Sequence, residues 1–269
     1  TKRELKARRP KALVLIDAPS FNFRLAKMAH ELDIPVYYYI SPKIWAWNTK
    51  RVNFIKRYVR RVICILPFEQ DFYARHDMQV DYVGNPLVDL VKPEEMDLIP
   101  PQPRRIGLLP GSRRSEVSAL MPVFAETARR LAGEREDLSF ALMRAPGVSE
   151  ERIRSLWGTD VPLEIYPAEE RYTRMRECQF LLAASGTVTL ESAIIGTPTI
   201  VAYQMAPVTA FLLRRLIQVK YASLPNLILD ETVFPELLQE KAKAVFLYEQ
   251  ALHWLEHPKE LESVRSRLD

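Results

Sequence analysis

Cysteine is scarce: only Cys64, within ICIL, and Cys178, just before QFLL, occur in 269 residues. Both neighbourhoods predict buried strands, so a disulfide framework is excluded and a reducing compartment is expected. No apolar run approaches the roughly 20 residues that a membrane-spanning helix needs, and the basic opening TKRELKARRPK leads straight into a short strand. Internal repeats and low-complexity tracts are also lacking. One segment, HWLEH at 253–257, matches the H-x-x-E-H zinc pattern. Pro258 follows at once, and the segment lies far in sequence from the glycine turns described below, so it reads as a solvated helix and no metal is expected.

What is present is a chain able to fold. The 48% apolar content excludes disordered and fibrous classes, and the length suffices for two modest α/β domains. The net charge of +4 is uneven, with 17 Lys/Arg against 12 Asp/Glu in residues 1–100. Lys50, Arg51, Lys56, Arg57, Arg60 and Arg61 cluster near Trp45, Trp47, Phe54 and Tyr58. Such a stretch suits anionic lipid headgroups or nucleic acid, and equally a solvated helix face. No nucleic-acid-binding module accompanies it, so a nucleic-acid partner is not expected.

From residue 11 onward, short β-branched or aromatic runs alternate with amphipathic stretches, the pattern of repeated βα units and parallel sheets. Strands are predicted at 13–17, 35–41, 62–67 and 80–84, and again at 105–110, 140–145, 163–167, 180–185 and 199–204. Between the two series, KPEEMDLIPPQP (92–103) holds four prolines and reads as a linker. The expected organisation is a first domain over 1–98, a second over 99–235, and a helical tail over 236–269 that packs back across the domain boundary.

Two turns could carry chemistry. In LLPGSRRSE (108–116), a strand ends at Pro110, Gly111 permits a tight turn and a helix opens within Ser112–Ser115. Its N–H groups, with Arg113 or Arg114, would form an anion site. The alternative is an ordinary N-cap by Ser112 or Ser115 with solvated arginines, and no Gly-Lys-Ser/Thr makes it a P-loop. In ASGTVTLES (184–192), Ser185 and Gly186 end a strand and a helix begins near Thr187. There Glu191, one turn in, could accept both hydroxyls of a ribose, or merely stabilise the helix start. Two such turns in one domain point to a nucleotide diphosphate. In the first domain, IDAPSFN places Asp17 at the carboxyl end of a strand, a position suited to a general base. Trp45 and Trp47 lie in the loop ISPKIWAWN, where they could wall a pocket, and core packing is expected for at least one.

Taken in order, IDAPSFN, YYISPKIWAWN, ILPFEQDFY, DYVGNPLVD, LLPGSRRSEV, AASGTVTLESA and YASLPNLI resemble lipid-A-disaccharide synthases over about residues 10–240. The resemblance implies a GT-B fold, with two Rossmann-like domains facing a cleft. It implies transfer of 2,3-diacylglucosamine from its UDP derivative to the 6-hydroxyl of 2,3-diacylglucosamine 1-phosphate, with inversion and without metal or other cofactor. It places Asp17 near the reacting atoms, the diphosphate at Gly111, Ser112 and Arg113, and the nucleotide at Ser185, Gly186, Thr187, Glu191 and Asn226. It further implies a peripheral enzyme on the inner face of the cytoplasmic membrane of Gram-negative bacteria.

The sequence departs from the family pattern in places. Ser20 stands where many relatives carry a second acid, Asn48 where a basic residue is common, and Asn85 where His is common, so acceptor contacts at the last two are in question. The family also opens with a strand, a glycine-rich turn and a helix, which would precede Thr1. The first domain is therefore expected to lack its opening βα portion. Competing expectations are an epimerase-like enzyme acting on a UDP-sugar and an inactive peripheral binding protein.

Overall fold

A computed structural model describes residues 2–205 and 219–268. These fall into two units, residues 2–86 with Val219, and residues 87–205 with 220–268.

The first unit runs α1 (Lys2–Arg8), β1 (Leu13–Ile16), α2 (Pro19–His30), β2 (Val36–Tyr39), α3 (Ile44–Trp47), α4 (Val52–Tyr58), β3 (Arg61–Cys64), α5 (Phe68–Ala74) and β4 (Asp81–Tyr82). The short helix α1 precedes the first strand, where the sequence reading has none. The four strands pair in parallel in chain order. Parallel neighbours need crossovers, and the helices between them supply these. Two aromatics of the basic stretch pack against α2: Phe23 of α2 meets Phe54 of α4 at 4.8 Å between ring centroids, and His30 stands edge-on to Tyr58 at 5.2 Å. Lys50, Lys56, Arg57, Arg60 and Arg61 stay exposed.

The second unit comprises α6 (Leu87–Val91), α7 (Pro93–Met96), β5 (Arg105–Leu109), α8 (Arg114–Glu134), β6 (Ser139–Met143), α9 (Glu150–Trp157), β7 (Glu164–Tyr166), α10 (Arg171–Arg176), β8 (Phe180–Ala184), α11 (Thr187–Ile194), β9 (Thr199–Tyr203), α12 (Leu224–Leu229), β10 (Glu236–Leu238), α13 (Ala244–Glu256) and α14 (Pro258–Ser266). Its parallel sheet has the order β10-β9-β8-β5-β6-β7. β5 and β8 are buried throughout, which is why IGLL and FLLAA read as unbroken apolar runs, with Arg105 opening the first. Ile106, Leu108, Leu182 and Ala184 enter the core on the α8 side. Leu109, Leu181 and Ala183 enter the opposite core with Met175 of α10.

Two expectations are corrected here. The proline-rich stretch is not a free linker: Val91 and Met96 lie in the same core as Leu109 and Met175. The Arg176 guanidinium donates to the carbonyls of Met96 and Ile99, and to those of Ile195 and Gly196. Nor is the chain wholly helical past 235, because Glu236–Leu238 pairs with Val201–Tyr203. At three residues, β10 is too short for a period-2 pattern to show. The tail helices pack within the second unit, where Leu247, Ala251, Trp254 and Leu261 join the α8-side core. Trp254 there stands edge-on to Phe180 at 5.5 Å.

Candidate functional site

In the second sheet β5 is the first strand in sequence. The chain winds from it to β6 and β7 on one side, then crosses back to β8, β9 and β10 on the other. The direction therefore reverses between β5 and β8, and open parallel sheets form a ligand crevice beyond the carboxyl ends at such a point. Leu109 pairs with Ala183, so the turns that follow the two strands, Pro110–Arg113 and Ser185–Thr187, emerge side by side. The structure thus brings together the two predicted turns.

They are built differently. Gly111 has φ +106°, and a Cβ there would lie 2.6 Å from Oε2 and 2.8 Å from Cβ of Glu116. Glu116 accepts the N–H groups of Ser112 and Arg113, each at 3.2 Å, and pairs with the Arg113 guanidinium at 2.5 Å. The N-cap is therefore Arg113, neither Ser112 nor Ser115. An internal carboxylate already fills two of the expected phosphate donors. The N–H groups of Arg114, Ser115 and Glu116 in the first helical turn have no protein acceptor among the described residues. Gly186 is extended, with φ 168°, and a Cβ there would meet nothing within 4 Å. Gly186 and Thr187 are exposed, leaving open space above this turn.

Glu191 is 6% exposed. Its carboxylate accepts from the Arg171 guanidinium at 3.0 Å and the Tyr172 hydroxyl at 3.3 Å. Burial pushes its pKa up, and Arg171 opposes that rise. The Ser185 hydroxyl donates to the Ala222 carbonyl at 3.1 Å, joining the turn to the 222–226 loop. Asn226 departs from expectation. It is fully buried; its Nδ2 donates to the Phe234 carbonyl and to Glu236, and its Oδ1 accepts from the N–H groups of Val233 and Phe234. Those four bonds exhaust an amide, so its side chain shapes the loop and presents nothing to a ligand. Glu236, unnoticed in the sequence, completes the clamp by accepting from the N–H groups of Ala222 and Ser223 and from the Ser223 hydroxyl. It lay in a stretch read as helix, where no spacing ties it to Ser223.

In the first unit, parallel pairing brings the residues that follow each strand to one edge of the sheet. Asp17, just past β1, is exposed, and its carboxylate has no hydrogen-bond or ion-pair partner among the described residues. Trp45 and Trp47 divide, one to the core and one to the surface. Trp45 is buried, donates to Glu69 Oε1 at 3.1 Å and packs edge-on against Phe68, so its expected pocket role is corrected to a core one. Trp47 is 41% exposed, with the Arg51 guanidinium 4.8 Å over its ring. Glu69, missed by sequence reasoning, is buried; it also accepts the N–H groups of Ile65 and Leu66, and burial raises its pKa. Asn85 is half-buried after Gly84, beyond β4. In the second unit, His253 binds Glu260 at 2.7 Å and stacks on His257 at 4.2 Å. Among the described residues no group of three or more His, Cys, Asp or Glu is arranged to hold a metal, and no helix is long and apolar enough to cross a membrane.

Comparison with known proteins gives a consistent picture. The profile of the family described as lipid-A-disaccharide synthetase matches residues 1–267. A lipid-A-disaccharide synthase of Trichlorobacter lovleyi is 41% identical over 244 residues, which cover 87% of this chain and 63% of that protein. Those of Persephonella marina and Geobacter sulfurreducens are 35% and 38% identical, with 96% of this chain covered in each case and 72% and 69% of the relatives. The chain thus spans roughly two thirds of these relatives' length. Among solved structures, the UDP-GlcNAc 2-epimerase of Neisseria meningitidis bound to UDP-GlcNAc superposes with a TM-score of 0.66 at 13% identity, covering 98% of this chain and 73% of that one. MurG of Acinetobacter baumannii gives 0.63 at 14% identity, covering 99% and 71%. At such identities the likeness establishes the fold alone, the GT-B type built from Rossmann-like units.

Proposed function

Because the chain belongs to the lipid-A-disaccharide synthetase family, we propose that it serves as a hexosyltransferase of lipid A assembly. In this reading it moves 2,3-diacylglucosamine from its UDP derivative to the 6-hydroxyl of 2,3-diacylglucosamine 1-phosphate. The observation that carries the donor half is the pair of turns at the strand-order reversal between β5 and β8. The Ser185–Gly186–Thr187 turn is open enough for a nucleotide to approach the backbone, and Glu191 stands one helical turn beyond to receive the ribose. Since Glu116 occupies Ser112 and Arg113, the diphosphate falls to the N–H groups of Arg114 and Ser115. The exposed Arg113 guanidinium turns from Glu116 to meet it.

On the acceptor side, Asp17 takes the proton of the 6-hydroxyl as that oxygen bonds to the anomeric carbon. The carbon–oxygen bond to the β-phosphate breaks on the opposite face, and UDP departs with the bonding pair. The helix-start donors and Arg113 stabilise the charge developing on the leaving phosphate. The exposed cations of residues 50–61 supply the attraction to an anionic bilayer surface, where both lipid sugars reside.

Titration of UDP into the protein tests the donor site. Arg113→Ala with Glu191→Ala should weaken binding by about ten- to a hundredfold, the worth of a charged contact of roughly 1.5 to 3 kcal/mol. Full affinity in that double variant would remove UDP from this crevice. Disaccharide formation from the two lipid sugars, against conversion of UDP-N-acetylglucosamine to UDP-N-acetylmannosamine, separates transfer from epimerisation.

A further inference from the structure

The turn that carries Asp17 has a conformation which side chains elsewhere must impose. Asp17 and Ala18 follow one another with φ of +44° and +42°, and neither is glycine. Left-handed backbone is tolerable for aspartate but strained for alanine, and persists only where its surroundings dictate it. Two buried side chains from different elements converge on one atom here. Asn22 of α2, 6% exposed, donates through Nδ2 to the Asp17 carbonyl at 2.7 Å and to the Ile16 carbonyl at 3.0 Å. Tyr38 of β2, wholly buried, donates through its hydroxyl to the same Asp17 carbonyl at 2.6 Å. The Asp17 N–H is held by the Tyr39 carbonyl at 3.2 Å. Each backbone polar group of Asp17 is therefore anchored, while its side chain alone is left to solvent.

We propose that Asn22 and Tyr38 are positioning residues which hold the Asp17–Ala18 turn left-handed and so fix the direction of the Asp17 carboxylate for proton transfer. The inference rests on the reading of Asp17 as the base. A turn of this kind is not needed to end a strand, since β5 and β8 end without consecutive strained residues. Nor does the pairing of β1 with β2 call for it, because that pairing ends at the Asp17 N–H and takes neither the Asp17 carbonyl nor Ala18. Burial pushes the Tyr38 phenol up to about 12, so its hydroxyl stays a donor throughout the neutral range.

The test uses the complete, active protein with both lipid sugars. Tyr38→Phe, which keeps the ring, and Asn22→Ala should each lower kcat roughly 10- to 100-fold, with donor KM and UDP affinity within about twofold. The deciding measurement is coupling. Tyr38→Phe placed on Asp17→Asn should slow the residual reaction no further, because the hydroxyl acts only through the carboxylate it aims. Losses that multiply in the double variant would show that Tyr38 acts independently of Asp17, and unchanged kcat in both single variants would equally overturn the inference. If Asp17→Asn itself retains full turnover, the base assignment fails instead. Melting curves guard against a trivial cause, since a variant that is slow only because it is partly unfolded regains kcat when assayed at a lower temperature, and an aiming defect does not.

Discussion

The two units end their working strands in opposite ways. Beyond β5 and β8 the chain uses Gly111 and Gly186, the first left-handed and the second extended, and the groups offered are backbone N–H donors at helix starts. Beyond β1 there is no glycine. Asp17 and Ala18 are held left-handed by a buried amide and a buried phenol, and the group offered is a carboxylate. The difference follows from what each turn presents. A site that gives its backbone to an anion gains from having no side chain in the way. A site that gives a side chain cannot dispense with it, and takes on strain that neighbours must hold.

The strongest way to break this contrast is to remove the charge of Asp17 while keeping its shape. Asp17→Asn should lower turnover by about 10² to 10⁴ while UDP titration stays nearly unchanged, because a base acts only in the transition state. Loss of UDP affinity or of folding in that variant would make Asp17 a structural residue and the contrast void.

The next largest effect separates the two glycines. Gly111→Ala forces a methyl group against Glu116 in a left-handed backbone, and should cost about 2 to 4 kcal/mol in chemical denaturation. Gly186→Ala has neither obstacle and should stay within about 0.5 kcal/mol of the parent, yet bind UDP more weakly because the methyl enters the open space above the turn. Equal stability losses would mean that the turns are built alike after all.

The smallest effect concerns the buried acids. Glu69 and Glu191 both have pKa values raised by burial, so between the ordinary carboxylate value and the raised one the folded chain binds more protons than the unfolded chain. Their contribution therefore declines as pH climbs through that window, and is constant above it. Glu191→Gln should flatten the decline in denaturation series run from about pH 4.5 to 7. A slope unchanged from the parent would show that Arg171 holds the carboxylate ionised throughout.

Much of this was legible beforehand. RIGLL and FLLAA announce strands by their short apolar runs, and LPGSR and ASGT announce turns because a glycine follows an apolar run at each. The tryptophan pair was legible as a pair, but burial alone decides that Trp45 fills the core and Trp47 does not. What stayed hidden were the clamps. Tyr38 meets Asp17 across 21 residues, and Glu236 meets Ser223 across 13, distances at which no periodicity survives. Glu116 stayed hidden as well, because the readable capping signature needs Ser, Thr, Asp or Asn three residues before the acid, and Arg113 stands there. Asn226 shows the converse: family likeness marks it as important, and only the structure shows all four of its bonds spent on its own loop.

Arg176 bears on how such a chain can drift over generations. Its guanidinium fastens residues 96–99 to residues 195–196 mainly through backbone carbonyls, which every amino acid supplies, with a longer contact of 3.5 Å to the Asp97 carboxylate. A substitution at the exposed Leu98 leaves that fastening intact, and one at the exposed Asp97 removes only its long ion pair. Gly196, with φ +75° and the guanidinium 2.9 Å from where a Cβ would stand, has no such freedom. Divergence should therefore be greatest at 98, smaller at 97 and nearly silent at 176 and 196. The proline-rich stretch can then change its text from one lineage to the next without changing its place.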